Sequence, residues 1–343
     1  MISFFFSVLL GVGVVFVGFS NNWLLIWVWI ECVTLCLIIL FRSSKVNIRN
    51  LEAISKYFVT QAIASLLILI GVILRYFFLE IITLTGGYNY LSYGFIIVGL
   101  LVKLGVFPNP YWFVDVVNGV EYSRLIYLLI VSKVVPLYLL FNVVSLSVFL
   151  VFGAVGVLTA LVSSVLGINQ SNFRKLISFS SVANLGWFIL CLPVMKGLVV
   201  IFCFLGYSLT VVPLVWVSNN LKFTSLNKVS RLYYDNSSKL LILLCLLSLG
   251  GLPPFVGFFV KWAFFQSLVN NNLYTLSVVL VISSLFSLFF YLYSSFNIHS
   301  LFSANIKNQN LLLSCSDHNF YVFIVSLSLV GFVGLAVFVG ILW

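Results

Sequence analysis

Long apolar runs follow one another along almost the whole chain, separated by short polar interruptions. A helix of about 20 apolar residues spans the hydrocarbon core of a bilayer, and only helices and closed barrels satisfy their backbone groups there. The runs predict about eleven transmembrane helices, over 3–19, 23–41, 56–79, 91–119, 123–142, 146–167, 174–192, 197–217, 239–267, 274–296 and 320–342. Most connectors are as short as Ser20-Asn21-Asn22; the longer polar ones are 42–55, 219–238 and 297–319. No soluble domain or linker stands out, so residues 1–343 read as a single all-α integral membrane domain. Residues 1–19 carry no charge and read as a retained first helix rather than a cleaved leader.

Two of the runs are interrupted. Residues 247–262 read LSLGGLPPFVGFFVKW, where Gly250, Gly251, Pro253 and Pro254 stand before Lys261. Proline removes a backbone donor and clashes with the preceding turn, so a helix cannot pass through undisturbed. In a bilayer the freed carbonyls must face protein or water. Residues 99–119 read GLLVKLGVFPNPYWFVDVVNG, where Lys103 stands just before Gly105, Pro108 and Pro110. The interrupted spans are the fourth and the ninth. An odd helix spacing between them turns the second over relative to the first. The pattern therefore predicts inverted repeats of about five helices each, near 3–142 and 146–296, with a final helix at 320–342.

Composition removes the soluble alternatives. The chain is 63% hydrophobic and 7% charged, against about 25% charged in ordinary soluble domains. Its net charge of +10 would suggest nucleic acid in a soluble protein; here it reads as topology, and no nucleic-acid partner is expected. One set of loops, helix ends included, carries Arg42, Lys45, Arg49, Lys56, Arg124, Arg174, Lys175, Lys222, Lys228, Arg231, Lys239 and Lys307. The opposite set carries only Arg75 and Lys196. The positive-inside rule puts the N-terminus and the basic loops on the cytoplasmic or matrix face, and the C-terminus opposite.

Lys103, Lys133 and Lys261 remain, all at membrane depth, as does Glu31 in the middle of the second span. Each intramembrane lysine costs about 2.5–3.5 kcal/mol on the insertion scale. Snorkelling from a helix end is the bland explanation, and apolar residues extending to both sides weaken it. A polar axis on which Glu31 pairs with a lysine across helices explains the set better. Two unit charges about 7 Å apart at an effective dielectric of about 20 interact by roughly 2.4 kcal/mol. Moving a carboxylate toward or away from a buried amine can therefore load or release a proton. Ser178, Ser180 and Ser181 either bond carbonyls four residues back or line water, and Asn184 lies on the same span.

Other chemistry finds no support in the sequence. The cysteines form no CxxC pair, and His299 and His318 lie near only Cys315. Cys32 and Cys36 share a helix face, as a buried pair of small hydrophobes would. No metal site, bound cofactor or glycine-rich phosphate loop is expected.

The blocks WLLIWVWIE at 23–31, EAISKYFVTQAIAS at 52–65, KLGVFPNPYW at 103–112, SKVVPL at 132–137, INQSNFRKLISFSSVANLGW at 168–187 and LSLGGLPPFVGFFVKW at 247–262 resemble the antiporter-like membrane subunits of respiratory complex I. Among these the blocks and their spacing are most similar to the subunit 2 family of mitochondrial NADH–ubiquinone oxidoreductase. The resemblance runs from about residue 20 to 265; beyond that it rests on hydropathy. It implies that Glu31 is the acid of a Glu–Lys pair, Lys103 its partner, Lys133 a bridging lysine and Lys261 the terminal lysine. It also implies proton translocation in the mitochondrial inner membrane, with NADH, FMN, iron–sulfur clusters and ubiquinone bound by other subunits. Neighbouring antiporter-like subunits are then the expected partners, along with a phospholipid such as cardiolipin. Pro110 and Asn184 stand where relatives commonly have histidine, and Asp115 where they have glutamate, so a proton wire built on those histidines is absent here. A cation/proton antiporter without redox partners, and a structural subunit with static lysines, are the alternatives.

Overall fold

The computed structural model describes residues 2–42, 47–84, 86–144, 149–221, 236–253 and 255–300. Over these the chain is helical: α1 Ile2–Phe19, α2 Trp23–Phe41, α3 Ile48–Leu79, α4 Tyr90–Leu104, α5 Tyr111–Gly119, α6 Tyr122–Ile126, α7 Ser132–Val143, α8 Phe149–Ile168, α9 Phe173–Cys191, α10 Gly197–Leu221, α11 Asn236–Gly250, α12 Val256–Asn270 and α13 Tyr274–Ser300. A π-helical turn, Tyr127–Val131, joins α6 to α7. Among the described residues no strand forms, only an isolated antiparallel bridge between Asn22 and Thr83. Among the described residues six helices are long and apolar enough to cross a membrane: 23–41, 48–79, 122–143, 149–168, 197–219 and 274–297. The expectation of about eleven spans exceeds that number because α1, α4 and α11 offer only shorter apolar stretches, α9 is more polar, and the span expected at 320–342 is not described. The expected helix at 320–342, Pro254 and the basic residues Lys45, Lys222, Lys228, Arg231 and Lys307 lie outside the described residues.

The chain divides into two compact units, Met1–Thr159 and Ala160–Trp343, with the division inside α8. In the first, α3 and α4 approach through glycine. A Cβ at Gly99 would lie 2.8 Å from the Ala64 carbonyl, and one at Gly71 would lie 2.9 Å from the Ser92 carbonyl. Phe16 of α1 stacks on Trp29 of α2 at 4.6 Å. The sequence places the start of the third span at 56, whereas α3 begins at Ile48. Two interactions explain the extra turns. Glu52 and Lys56 pair at 2.8 Å one turn apart, and buried Asn50 donates to the carbonyls of Phe41 and Gly119 at 3.2 and 3.3 Å. At the other end of α3, Arg75 is fully buried. Its Nε donates to Gly87 O at 3.0 Å, its Nη1 to Thr83 O at 2.6 Å, and its guanidinium lies 3.9 Å over the Tyr88 ring.

In the second unit α9 is the central element. From Leu176 to Cys191 every residue except Asn184 is buried, and Phe188 meets Phe264 of α12 edge-on at 4.9 Å.

The ends of α4 and α11 share one hydrogen-bond pattern. Gly105 has φ 70° and Gly251 φ 81°. Gly105 N donates to Val102 O and Val106 N to Leu101 O; Gly251 N donates to Ser248 O and Leu252 N to Leu247 O. Each is a Schellman end, in which a left-handed glycine lets two amides satisfy carbonyls the helix leaves open. A second turn follows in both, from Asn109 N to Val106 O and from Phe255 N to Leu252 O. Then α5 begins at Tyr111, behind Pro110, and α12 begins at Val256.

Candidate functional site

The first unit holds Glu31, Lys103 and Lys133. Lys103 lies in the last turn of α4, where the carbonyl end of the helix dipole favours a cation. It is 4% exposed, and its Nζ meets no hydrogen-bond acceptor among the described residues. Glu31, half-buried on α2, acts on it electrostatically. One carboxylate oxygen, Oε2, accepts from Thr34 Oγ1 at 3.3 Å; the other, Oε1, is buried without a hydrogen-bond partner. The charge of Glu31 also reaches Tyr57 of α3, and Tyr57 packs against Trp112 of α5 at 6.1 Å.

Lys133 is 1% exposed. Its Nζ lies 4.9 Å over the ring of Phe113, the α5 residue against which Gly105 also packs. Such a cation–π contact is worth about 0.5–2 kcal/mol. Just before Lys133 the π turn widens the helix, and Ser132 Oγ caps Leu128 O at 2.6 Å. Pro136 inside α7 leaves the backbone of that turn one donor short. Insertions of this kind recur at functional sites.

The second unit holds Lys261, Asn184, Ser180 and Ser181. Lys261 Nζ donates to Gly250 O, the last carbonyl of α11, at 2.8 Å. Its side chain folds back over Gly251, so that a Cβ there would meet Lys261 Cδ at 3.0 Å. Lys103 precedes its interrupted segment and Lys261 follows its own; the Lys261 ammonium is set at a helix carbonyl end, whereas Lys103 belongs to the last turn of its helix and its Nζ meets no carbonyl there among the described residues. Lys261 borders a cleft of about 20 Å³ with Asn184, Tyr207 and Thr210. It also borders a larger cleft of about 270 Å³ with Trp187, Trp262 and Leu288. Of the two roles the sequence allows for the serines, bonding to backbone carbonyls is the one seen. Ser180 and Ser181 donate to the carbonyls of Ile177 and Ser178 at 2.7 Å, and both also meet tyrosine hydroxyls.

Tyr57, Phe113, Tyr207 and Tyr291 are the neighbours that sequence reasoning missed. Nothing in their local sequence separates them from tyrosines and phenylalanines that face the exterior. Among the described residues no group of His, Cys, Asp and Glu could hold a metal ion.

The family described as NADH:quinone oxidoreductase/Mrp antiporter, TM, matches residues 20–287. The chain belongs to that family. The matched stretch of this antiporter family contains Glu31, Lys103, Lys133 and Lys261, together with both Schellman ends. A relative from Anopheles gambiae named NADH-ubiquinone oxidoreductase chain 2 is 34% identical, over 92% of this chain and 90% of its own length. In fold, the chain is similar to a chain of respiratory complex I from Thermus thermophilus with bound aureothin. That match has a TM-score of 0.80 and 24% identity over 87% of this chain and 70% of the other. A chain of the Mrp complex from Dietzia sp. DQ12-45-1b is also similar in fold, with a TM-score of 0.77 and 16% identity over 86% of this chain and 59% of the other.

Proposed function

We propose that this chain is an antiporter-like membrane subunit of an NADH:ubiquinone oxidoreductase, and that it translocates protons through Glu31, Lys103 and Lys133 in one unit and Lys261 in the other. The observation that carries the reading is Lys103: a lysine in the last turn of its helix, almost wholly buried, its amine without a hydrogen-bond acceptor among the described residues, and under the electrostatic influence of Glu31. Such a group is expensive to keep in a membrane unless its charge is used. The name and near-complete overlap of the Anopheles gambiae relative support the choice of assembly.

The interrupted segments at 105–110 and 251–255 are read as breaks in the fourth and ninth of about eleven spans, within inverted repeats. Electron transfer from NADH to ubiquinone takes place in other subunits, which hold the flavin and the iron–sulfur clusters. Here the carboxylate of Glu31 shifts relative to Lys103. When it is near, the ammonium form is favoured and a proton is loaded; when it withdraws, the low-dielectric surroundings favour the neutral amine and the proton leaves. Lys133 and Lys261 are loaded and emptied in the same manner. The assembly lies in the mitochondrial inner membrane, with the N-terminus and basic loops toward the matrix and the C-terminus in the intermembrane space. Neighbouring antiporter-like subunits and cardiolipin line its flanks.

The test uses the complex purified with this chain and reconstituted in liposomes. Lys103→Arg keeps a positive charge but cannot release a proton. Lys103→Ala and Lys103→Arg are both expected to lower NADH-driven, quinone-site-inhibitor-sensitive proton translocation by roughly tenfold or more, with Glu31→Gln behaving alike. Full activity in Lys103→Arg would mean that a static charge suffices, and would overturn proton exchange at this residue. The likeness in fold to the Mrp chain keeps an antiporter without redox partners as the second reading. Proton movement driven by a sodium gradient, with no NADH present, would select it.

A further inference from the structure

The lysine chemistry leaves a set of buried hydroxyls in the second unit unexplained. Tyr207 of α10 is 5% exposed and Tyr291 of α13 is 2% exposed. Side-chain hydrogen bonds join Tyr207 to Ser181 and Tyr291 to Ser180. Each serine already donates its single proton at 2.7 Å to a carbonyl one turn back, so the tyrosine is the donor in each pair. The two phenols also act on each other electrostatically.

Both tyrosines reach the surroundings of Lys261. Tyr207 lines the cleft of about 20 Å³ that Lys261 and Asn184 share, enough space for one water. Tyr291 packs on Gly250, where an added Cβ would meet its ring at 3.7 Å, and Gly250 O accepts the Lys261 ammonium. Tyr207 and Lys261 therefore share a cleft, and the Tyr291 ring and the Lys261 amine both pack at Gly250, the end of α11. Phenylalanine at both positions would fill nearly the same volume without the desolvation that a buried hydroxyl incurs. Packing alone does not account for the phenols.

We propose that Tyr207 and Tyr291 are proton-relay residues serving Lys261, with Ser181 and Ser180 holding their hydroxyls in position. This rests on the proton-translocating reading of Lys261. In the relay, the Lys261 N–H bond breaks as an O–H bond forms on a water in the cleft, and that water gives one of its own protons to the Tyr207 hydroxyl oxygen. The Tyr207 hydroxyl then turns from Ser181 and passes its original proton through water to the Tyr291 oxygen, and the Tyr291 hydroxyl turns from Ser180 and releases one in turn. Each oxygen gains one proton and loses one, and the only lasting change is a neutral amine at Lys261 and one proton delivered beyond Tyr291.

The reconstituted complex provides the test, with Lys261→Ala as the reference variant. Tyr207→Phe and Tyr291→Phe are expected to assemble while NADH-driven proton translocation falls toward the Lys261→Ala level. The solvent deuterium isotope effect on NADH oxidation should rise in Tyr207→Phe, a change that a purely structural role would not produce. Normal translocation with an unchanged isotope effect in both tyrosine variants, beside a defective Lys261→Ala, overturns the relay and leaves the lysine reading standing. Normal translocation in Lys261→Ala as well overturns both. Should Tyr207→Phe deplete the assembled complex, Ser181→Ala takes its place, since it keeps the phenol and frees its hydroxyl; normal translocation there overturns the relay.

Discussion

Gly251 sets the angle at which Lys261 meets the end of α11. At φ 81° a side chain is strained whatever the space around it, and a Cβ would meet Lys261 Cδ at 3.0 Å. The left-handed conformation alone costs about 1–2 kcal/mol for a residue other than glycine. Gly251→Ala is therefore expected to destabilise the protein by at least that much and to pull Lys261 from Gly250 O. Thermal unfolding of the solubilised complex checks the first effect, and proton translocation the second. Gly94→Ala is the control: it lies in exposed helix with nothing within 4 Å of an added Cβ, and should be neutral or stabilising by about 0.5–1 kcal/mol. Arg75 makes the same kind of point about a charge. Its planar fork holds two loop carbonyls and a tyrosine face at once, which a lysine cannot do. Burial pushes the Tyr88 hydroxyl up, against the pull of that guanidinium. Arg75→Lys should cost about 1.5–3 kcal/mol in the same unfolding measurement. The sequence counts Arg75 among loop charges, because hydropathy reports that a cation lies near a helix end and not whether it turns inward.

Among the elements, α3 works as a splint across the interruption between α4 and α5. Asn50 holds Gly119 at the far end of α5, Lys56 pairs with Asp115 in its middle at 2.9 Å, and Gln61 reaches Lys103 O at 3.5 Å. The ties are not equivalent. Lys56 and Asp115 are 42% and 50% exposed, so their pair contributes at most about 1 kcal/mol. Asn50 is buried, and removing its amide leaves two carbonyls without a donor. Asn50→Ala should cost about 1–3 kcal/mol and Lys56→Ala no more than about 1 kcal/mol, a ranking that thermal unfolding of the complex can read. Asp115 stands as far beyond Gly105 as Lys261 stands beyond Gly251, so equivalent positions of the two devices carry opposite charge. The glycine-proline stops were legible because backbone chemistry is local: a left-handed glycine and a missing amide act wherever they stand. The start of α3 at Ile48 was not, because the carbonyls that Asn50 satisfies belong to Phe41 and Gly119. Tyr207 and Tyr291 escaped for the same reason, since their hydroxyl partners lie on α9, far along the chain.

At the scale of the whole molecule, the all-helical membrane class was legible from hydropathy, and sidedness rests on how the basic residues alternate between loops. That alternation requires α9 to cross the membrane, because Ser171 precedes it and Lys196 follows it. Yet α9 is not among the six helices whose length and apolarity alone suffice for a crossing. Arg174 and Lys175 in its first turn lower its hydropathy most, and Asn184 and the serines lower it further; all are buried or half-buried inside the second unit. A helix shielded by protein can cross with polar residues that a lipid-facing one could not carry. Ser171 and Lys196 are both exposed, and Cys36, Cys191, Cys203 and Cys245 are buried, which suits them to site-directed labelling. Cysteine placed at Ser171 should react with a membrane-impermeant maleimide only from the matrix side, and cysteine placed at Lys196 only from the other. Reaction of both from one side would mean that α9 does not cross. The expected span count would then lose a member, every later loop would change sides, and Lys222, Lys228, Arg231 and Lys239 would stand on the face that the positive-inside rule denies them.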